Sequence, residues 1–306
     1  MIRILTFVLA AALVTPALAN AQLKVVTTTE DLGSLARDIG GDKVAVTALA
    51  KGYQDPHFVD PKPSFILAVS RADLLLVVGR ELEIGWLPPL LTSSRNAKIQ
   101  PGAKGYLDAS LNVKILEIPT GQITRAMGDV HPLGNPHYWL EPGNGRRMAQ
   151  AIRDKLAELS PGDKAYFDQR YTDFDQRLAA GEKRWDAAMA PYKGTKIVTY
   201  HRSWPNFMER FGLNVIGYVE PKPGIPPSPT HTIELIDEMK RQGAKLIVVE
   251  PYFDLKTPQA ISNQIGGKVL VLAPSVGGEK EATDYIKLFD YNIAQLTAAL
   301  KAITGK

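Results

Sequence analysis

The sequence predicts an α/β protein in which two β/α lobes, each with a mainly parallel sheet, are joined by one long linker helix. Three observations indicate this fold class. Short apolar runs alternate with helical patterns, one amphipathic pattern is much longer than the others, and the start of the first half is echoed at the start of the second. Strands that alternate with helices are typical of parallel sheets covered on both faces.

The first 21 residues have the composition of an export signal. Arg3 precedes an apolar run, and small residues offer cleavage points after Ala19 or Ala21, as in a secretory signal peptide. A permanent membrane anchor is the alternative, but the apolar run is short for that role. Because the chain has no cysteine, it offers no lipid-acceptor thiol and no thiolate metal ligand. We therefore expect a soluble periplasmic protein with no lipid anchor.

Charge and length limit the function classes further. The formal net charge is +4, Arg3 contributes one of these charges, and there is no basic cluster, which argues against nucleic-acid binding. About 285 mature residues are enough for two domains or one large one. We expect a monomer, divided into an N-terminal lobe (22–159), a linker helix (160–192) and a C-terminal lobe (193–306).

The first half of the mature chain is a succession of strands and helices. The run "DLLLVVG" is continuously apolar, as in a buried parallel strand. Strands are predicted at 23–29, 43–50, 73–79 and 113–118. Helices are predicted at 30–41 and 61–72, with a proline-broken helix at 81–94.

The longest helical pattern begins at "SPGD". Ser160 is the expected N-cap, Pro161 occupies the first helical position and Asp163 faces the helix dipole. One apolar stripe follows at helical spacing: Tyr166, Phe167, Tyr171, Phe174, Leu178, Trp185 and Met189. A helix that continues to about residue 190 would be roughly 45 Å long. The stripe predicts a helix that faces the core, and its length suggests that it also joins two lobes.

The second half restarts with a similar pattern. Residues 195–217 echo residues 23–46, since in each a strand of the type Lys-Val/Ile-Val-Thr precedes a helix that ends in glycine. Further strands are predicted at 245–251 and 268–274, and further helices at 257–267 and 282–304. Two similar lobes would leave such an echo in the sequence.

The histidines carry the most specific functional signal. His201 directly follows a predicted strand of the second half, and His57 lies a short loop beyond a strand of the first half. Ligands of open α/β sheets bind beyond the carboxyl ends of strands. A third histidine, His137, lies in the stiff segment "GNPHYWLEP". A site built from these residues would lie in a cleft between the lobes.

Imidazole is the commonest protein ligand for zinc and also suits other divalent first-row metals. Proline precedes both His57 and His137, and this stiffness lowers the entropy cost of assembling a site. We therefore predict a metal site of His57, His137 and His201, with capping or packing roles as the alternative. His231 is expected to cap a helix or face solvent. His131 is expected to be exposed, with an auxiliary metal ligand as the alternative.

Three motifs, "DPHFVDPKPS", "NPHYWLEP" and "YHRSWPNF", resemble those of the metal-binding solute-binding proteins of ABC transporters, the zinc- and manganese-binding family called cluster 9 or A-I. The resemblance covers essentially the whole mature chain. It implies two lobes joined by one long helix, with a divalent metal between them and His57, His137 and His201 at the first three ligand positions. Histidine at the third position resembles the zinc-binding members, so Zn(II) is the expected cargo, with Mn(II) or Fe(II) as the alternative.

The chain departs from the family pattern at the fourth ligand position. Ala273 stands where many relatives have an acidic residue, so water, Glu250 or Glu279 is left for this position. We expect Glu250 to orient His201 rather than to bind the metal. The loop rich in histidine and acids that several zinc-binding relatives carry is reduced here to Asp129 and His131.

The resemblance implies a carrier that delivers its metal to a membrane ABC permease and has no enzymatic activity. A secreted zinc hydrolase is the alternative, because three histidines with an open position also build catalytic zinc sites. Glu250 is the general base that such an enzyme would use. A stiff linker helix predicts small lobe movements rather than wide closure.

Overall fold

The computed structural model describes residues 22–124 and 127–305. In these residues two lobes each carry a four-stranded parallel sheet flanked by helices, and a long helix lies between the lobes. The predicted fold class is therefore confirmed. The predicted signal peptide at 1–21 lies outside the described residues, and the lobe boundaries stay predictions.

The N-terminal sheet has the strand order β2-β1-β3-β4 with every pair parallel. Its strands are β1 (Leu23–Thr27), β2 (Val44–Ala48), β3 (Leu74–Val77) and β4 (Tyr106–Asp108). Its helices are α1 (Glu30–Gly40), α2 (Pro63–Ser70) and α3 (Leu87–Ser94). All four residues of β3 are buried, as the continuous apolar run predicted.

Two helices follow in the chain, α4 (Pro142–Leu159) and α5 (Lys164–Met189). The 26 residues of α5 bury most of the predicted stripe, and 1.5 Å per residue makes it about 39 Å long. The predicted cap was wrong, because a 3-10 turn at Pro161–Asp163 precedes α5 and the Ser160 hydroxyl donates to Asp163 instead. Sequence patterns missed α4, since some of its buried positions are small or polar, such as Asn144 and Gly145.

The strand predicted at 113–118 was also wrong. The edge of the sheet is formed by β4, and residues 114–120 lie outside any strand. The side chain of Asn144 takes both backbone groups of Lys114: Lys114 N donates to Oδ1 at 2.9 Å, and Nδ2 donates to the Lys114 carbonyl at 3.1 Å. These bonds satisfy the backbone N–H and carbonyl of Lys114 without a neighbouring strand.

The C-terminal sheet repeats the topology of the first. Its strands are β5 (Lys196–Thr199), β6 (Asn214–Tyr218), β7 (Leu246–Val249) and β8 (Lys268–Val271), in the parallel order β6-β5-β7-β8. Its helices are α6 (Pro205–Phe211), α7 (Pro229–Gln242), α8 (Lys256–Ile265) and α9 (Tyr285–Thr304). Counted from each lobe's first strand, the two sheet orders are identical, which accounts for the echo in the sequence.

One hydrophobic core continues from lobe to lobe through α5, which packs against α1, α4 and α9. The rings of Trp185 and Phe289 stack at 5.0 Å in this core. Buried polar bonds join the lobes as well: Asp31 accepts hydrogen bonds from the Ser275 hydroxyl and from Val276 N. A core shared in this way favours a fixed arrangement of the two sheets. Within the described residues, no helix combines the length and apolar character needed to cross a membrane.

Candidate metal centre

Three histidines from three separate segments of the chain converge between the lobes. His57, His137 and His201 each offer one ring nitrogen, and these nitrogens lie within 4.8 Å of one another. The distances between ring centroids are 5.1 to 5.5 Å. In the described part of the chain, no other group of three or more histidines and carboxylates is close enough to hold a metal ion.

His201 is held at the carboxyl end of β5. Thr199, the last residue of that strand, donates its hydroxyl to the His201 carbonyl at 2.8 Å. The ring Nδ1 lies 2.6 Å from Oε2 of Glu220, which lies just beyond the end of the neighbouring strand β6. Burial lowers the pKa of His201, but the Glu220 hydrogen bond and the Glu250 charge outweigh burial and raise it. With Nδ1 bonded to a carboxylate, Nε2 is the nitrogen left for a metal.

His57 is held by a residue of its own loop. Asp55 Oδ1 accepts from the backbone N of His57 at 3.0 Å and lies 2.7 Å from its ring Nδ1. Burial raises the pKa of Asp55, but the hydrogen bonds and charge of His57 outweigh it, so the pKa is lowered. The indole of Trp86 donates to the Pro56 carbonyl at 2.9 Å, which fixes the backbone beside the histidine. Here too Nε2 is the nitrogen free to bind.

His137 is the most buried of the three, with 2% of its surface exposed. Its backbone N donates to Asn135 Oδ1 at 2.9 Å, but neither ring nitrogen has a hydrogen-bond partner. The residues after it hold it against both lobes, because the Tyr138 hydroxyl donates to the Val78 carbonyl and the Trp139 indole to the Pro274 carbonyl. Burial lowers its pKa well below the usual value.

An unpaired buried polar group costs roughly 1–3 kcal/mol. His137 carries this cost in a position where two other imidazoles face it, each oriented by a carboxylate. A neutral imidazole whose second nitrogen is held by a carboxylate is the usual form of a metal-binding histidine. The three residues therefore fit a divalent metal of borderline softness.

The prediction that His131 is exposed was wrong. The side chain is partly buried, and its Nε2 lies 3.2 Å from Nε2 of His57. Burial lowers the pKa of His131 to about 4, with the charges of His57 and His201 acting in the same direction. Asp129 N donates to the Pro223 carbonyl at 2.9 Å and so draws this loop onto the C-terminal lobe. Such a contact between distant segments leaves no sign in a local sequence pattern.

Glu250 does not take the role expected for it. It is fully buried, its Oε1 accepts from the Trp204 indole at 3.0 Å, its Oε2 has no hydrogen-bond partner, and it lies outside the three-histidine cluster. The carboxylate that orients His201 is Glu220, which sequence reasoning missed. Its position two residues beyond β6 was the available signal, since β6 pairs with β5.

The other candidates lie apart from the cluster. Ala273 is buried, and its backbone N and carbonyl both bond to the side chain of Asn292. Glu279 is partly exposed and outside the cluster. The ring of His231, in the first turn of α7, bonds to the Tyr218 carbonyl at 2.9 Å, which is a structural role. The described residues therefore place no carboxylate among the three imidazole nitrogens.

Three cavities open onto the histidines of the site. One, of about 280 Å³, is lined by His57 and His201 together with the carboxylates of Asp55, Asp129 and Glu220. The second, of about 380 Å³, is lined by His131, His137 and His201. The third, of about 320 Å³, is lined by His57 and His131. A cleft lined by carboxylates raises the local concentration of cations, so the first cavity is suited to a metal that enters from solvent.

Comparison with known proteins identifies the family of the chain. The family described as zinc-uptake complex component A, periplasmic (ZnuA), matches residues 25–299. The chain belongs to the ZnuA family. A crystal structure of ZnuA superposes with a TM-score of 0.77 and 25% identity, covering 91% of this chain and 99% of that one.

Relatives in the ZnuA family carry names for different metals. The chain is 26% identical to the high-affinity zinc uptake system protein ZnuA of Yersinia pestis, over 76% of this chain and 77% of that protein. It is 23% identical to the manganese ABC transporter substrate-binding lipoprotein PsaA of Streptococcus anginosus, over 91% of this chain and 89% of that protein. The chain is thus a metal-binding substrate-binding protein of ABC transporters, and family membership alone leaves the metal open.

Proposed function

We propose that this protein captures Zn(II) in the periplasm through His57, His137 and His201 and delivers it to a membrane ABC permease. The observation that supports this most strongly is the fully buried imidazole of His137, whose two nitrogens have no hydrogen-bond partner. A cation shared with His57 and His201 would satisfy one of these nitrogens. Family membership supports transport over catalysis.

The donor set favours zinc over manganese. Neutral imidazole suits zinc, whereas carboxylate, carbonyl and water ligands suit manganese. Asp55 and Glu220 lie beside the site but bond to the distal nitrogens of the histidines. In this arrangement the carboxylates orient the ligands and the imidazoles bind the metal. Mn(II) or Fe(II) is the alternative cargo, and the name of the streptococcal relative supports Mn(II).

The frame of the protein suits a carrier whose lobes move little. The core is continuous through α5, and Asp31 bonds across the lobes. We propose that loops beside the site, rather than wide lobe closure, admit and release the metal. We further propose that the leader at 1–21 is cleaved and that the mature chain is a soluble monomer without a lipid anchor.

Zinc affinity measured by competition with a chelating dye tests the proposal. His137→Ala is expected to weaken zinc binding by roughly 100-fold or more, since loss of an outer-shell partner alone costs 10–100-fold. His231→Ala is the matched control and should bind zinc as the wild type does, because that ring bonds to a carbonyl outside the cluster. Equal affinity of His137→Ala and wild type would contradict the ligand assignment. Displacement of zinc by equimolar Mn(II) would favour the alternative cargo.

Delivery is tested by growth under zinc limitation. A strain that lacks this protein should grow poorly in zinc-depleted medium and recover with added zinc or with the wild-type gene. The gene for His137→Ala should fail to restore growth, whereas that for His231→Ala should succeed. Full rescue by His137→Ala would show that the protein supports growth without metal capture at this site.

A further inference from the structure

We propose that His131 is the fourth ligand of the metal site, so that four imidazoles surround the ion. This inference rests on the proposed function and deepens it, because it supplies the ligand for which the β8 end offers no side chain. His131 belongs to the connection between β4 and α4, and its ring lies 5.2 Å from that of His57, centroid to centroid.

The spacing of the ring nitrogens fits two ligands of one ion. Nε2 of His131 and Nε2 of His57 lie 3.2 Å apart. Zinc–nitrogen bonds of about 2.0–2.1 Å in a tetrahedral site hold two ligand nitrogens roughly 3.3 Å apart. His57 belongs to the three-histidine cluster, whereas His131 contacts only His57 and lies outside the cluster. His131 would therefore move toward the other two imidazoles when it binds the ion.

The hydrogen bonding of His57 gives a second reason. Asp55 accepts from Nδ1 of His57, so a neutral His57 presents a lone pair at Nε2. Nε2 of His131 lies 3.2 Å from that nitrogen. A metal ion bound by Nε2 of His57 would therefore lie beside the imidazole of His131.

The segment that contacts the loop of His131 has an unusual backbone conformation. Gly79, Arg80 and Glu81 have φ values of 78°, 55° and 65°, three consecutive left-handed residues of which two are not glycine. Each such non-glycine residue costs of order 1–3 kcal/mol, and such strain clusters at functional sites. The Arg80 guanidinium donates to Ser110 Oγ at 3.1 Å and to the Leu133 carbonyl at 3.3 Å, which ties this segment to the loop of His131.

Water and Glu250 are the competing fourth ligands. Glu250 is fully buried, bonded to Trp204 and outside the cluster, so it would have to break that bond to reach the ion. A water ligand would leave Nε2 of His131 close to the ion without a bond to it, because this nitrogen lies 3.2 Å from Nε2 of His57. Four imidazoles would close the coordination sphere, which leaves no position for the bound water that a zinc hydrolase activates.

X-ray absorption at the zinc edge of the full-length, zinc-loaded protein tests the proposal. The wild type should show four imidazole ligands, and His131→Ala should show three with one oxygen. His131→Gln and the control His231→Ala guard against misfolding, and the metal-free variants should match the wild type in far-ultraviolet circular dichroism. Zinc affinity should fall about 10–100-fold in both His131 variants. This is the loss that removal of a residue orienting a ligand usually causes, and it is no larger here because three ligands remain.

Three imidazoles in the wild type, with unchanged affinity in His131→Ala, would overturn the fourth-ligand assignment. The proposed function is judged separately by His137→Ala measured in the same series. If His137→Ala weakens zinc binding while His131→Ala does not, only the role of His131 is wrong. If neither variant weakens binding, the proposed zinc site itself is wrong.

Discussion

The two lobes share one framework but present different residues to the cleft. In the N-terminal lobe, Thr27 at the end of β1 donates its hydroxyl to the Thr29 carbonyl at 2.8 Å. In the C-terminal lobe, Thr199 at the end of β5 makes the same bond, of the same length, to the His201 carbonyl. Thr29 and His201 therefore occupy equivalent positions, and of the two only His201 carries an imidazole.

The equivalence extends to the neighbouring strands. Ala50 N donates to the Thr28 carbonyl at 3.0 Å, and Glu220 N donates to the Tyr200 carbonyl at 3.1 Å. The C-terminal framework thus carries both the imidazole and its orienting carboxylate, where the N-terminal one has threonine and alanine. The N-terminal lobe instead uses a loop, in which Asp55 and His57 form the same pair two residues apart.

This difference shows that the fold alone does not make the site. Two sheets of equal topology supply the cleft, but side chains at a few positions decide what it binds. We expect the C-terminal half of the site to be the more rigid, because its two residues follow strands directly. The N-terminal half depends on one turn and on the Trp86–Pro56 bond.

The largest effect is expected from the equivalent pair Thr29 and His201. His201→Ala should weaken zinc binding by roughly 100-fold or more, as for the other inner ligands. Thr29→Ala should leave zinc affinity unchanged but cost about 1 kcal/mol of stability, because Thr29 caps α1. Dye competition and chemical unfolding measure the two quantities. Weakened zinc binding in Thr29→Ala would contradict the claim that only the C-terminal position of this pair contributes to the metal site.

The two orienting carboxylates give the next effect. Glu220→Gln and Asp55→Asn should each weaken zinc binding about 10–100-fold, because a carboxamide holds the ligand imidazole less firmly. The Glu220 substitution should have the larger effect, since that carboxylate is the more buried of the two. Isothermal titration with zinc measures the affinity of each variant. Glu250→Gln should weaken zinc binding less than Glu220→Gln or Asp55→Asn does. A larger loss in Glu250→Gln would indicate that Glu250 is the group that orients His201.

The contact between the lobes has its own pH dependence. Burial raises the pKa of Asp31 to about 7, although hydrogen bonds from Ser275 and Val276 act against it. As pH rises from about 4 to 7, the unfolded chain releases this proton while the folded protein keeps it, so stability is lost over that window. Asp31→Asn mimics the protonated form and should raise the free energy of unfolding on the order of 1 kcal/mol or more at pH 8.

That gain for Asp31→Asn should vanish at pH 4, where Asp31 is protonated in the folded protein. Denaturant unfolding of both proteins at the two pH values gives the comparison. A variant that is less stable than the wild type at pH 8 would mean that the folded protein holds Asp31 ionised.

The smallest loss of zinc affinity is expected at the threonines that end β1 and β5. Thr27→Val and Thr199→Val each remove one buried hydrogen bond and should cost similar stability, about 1–3 kcal/mol. Only Thr199→Val should also lower zinc affinity, by a few-fold, because it loosens the backbone of His201. Equal zinc affinity in both variants would show that the bond to the His201 carbonyl does not position the ligand.

Local patterns predicted most of the fold but only part of the site. The apolar run of β3 and the stripe of α5 report burial directly, so both were predicted correctly. The run at 113–118 failed as a strand because Asn144, far along the chain, takes the backbone groups of Lys114. The pairing of Glu220 with His201 and the approach of His131 to His57 likewise depend on contacts between distant segments.

The central claim is that imidazoles from both lobes bind one cation. Anomalous diffraction from zinc-soaked crystals, collected on both sides of the zinc edge, tests it most directly. The account predicts a single strong peak bonded to ring nitrogens of His57, His137 and His201. A peak held by residues of one lobe alone, or located away from these three side chains, would contradict it.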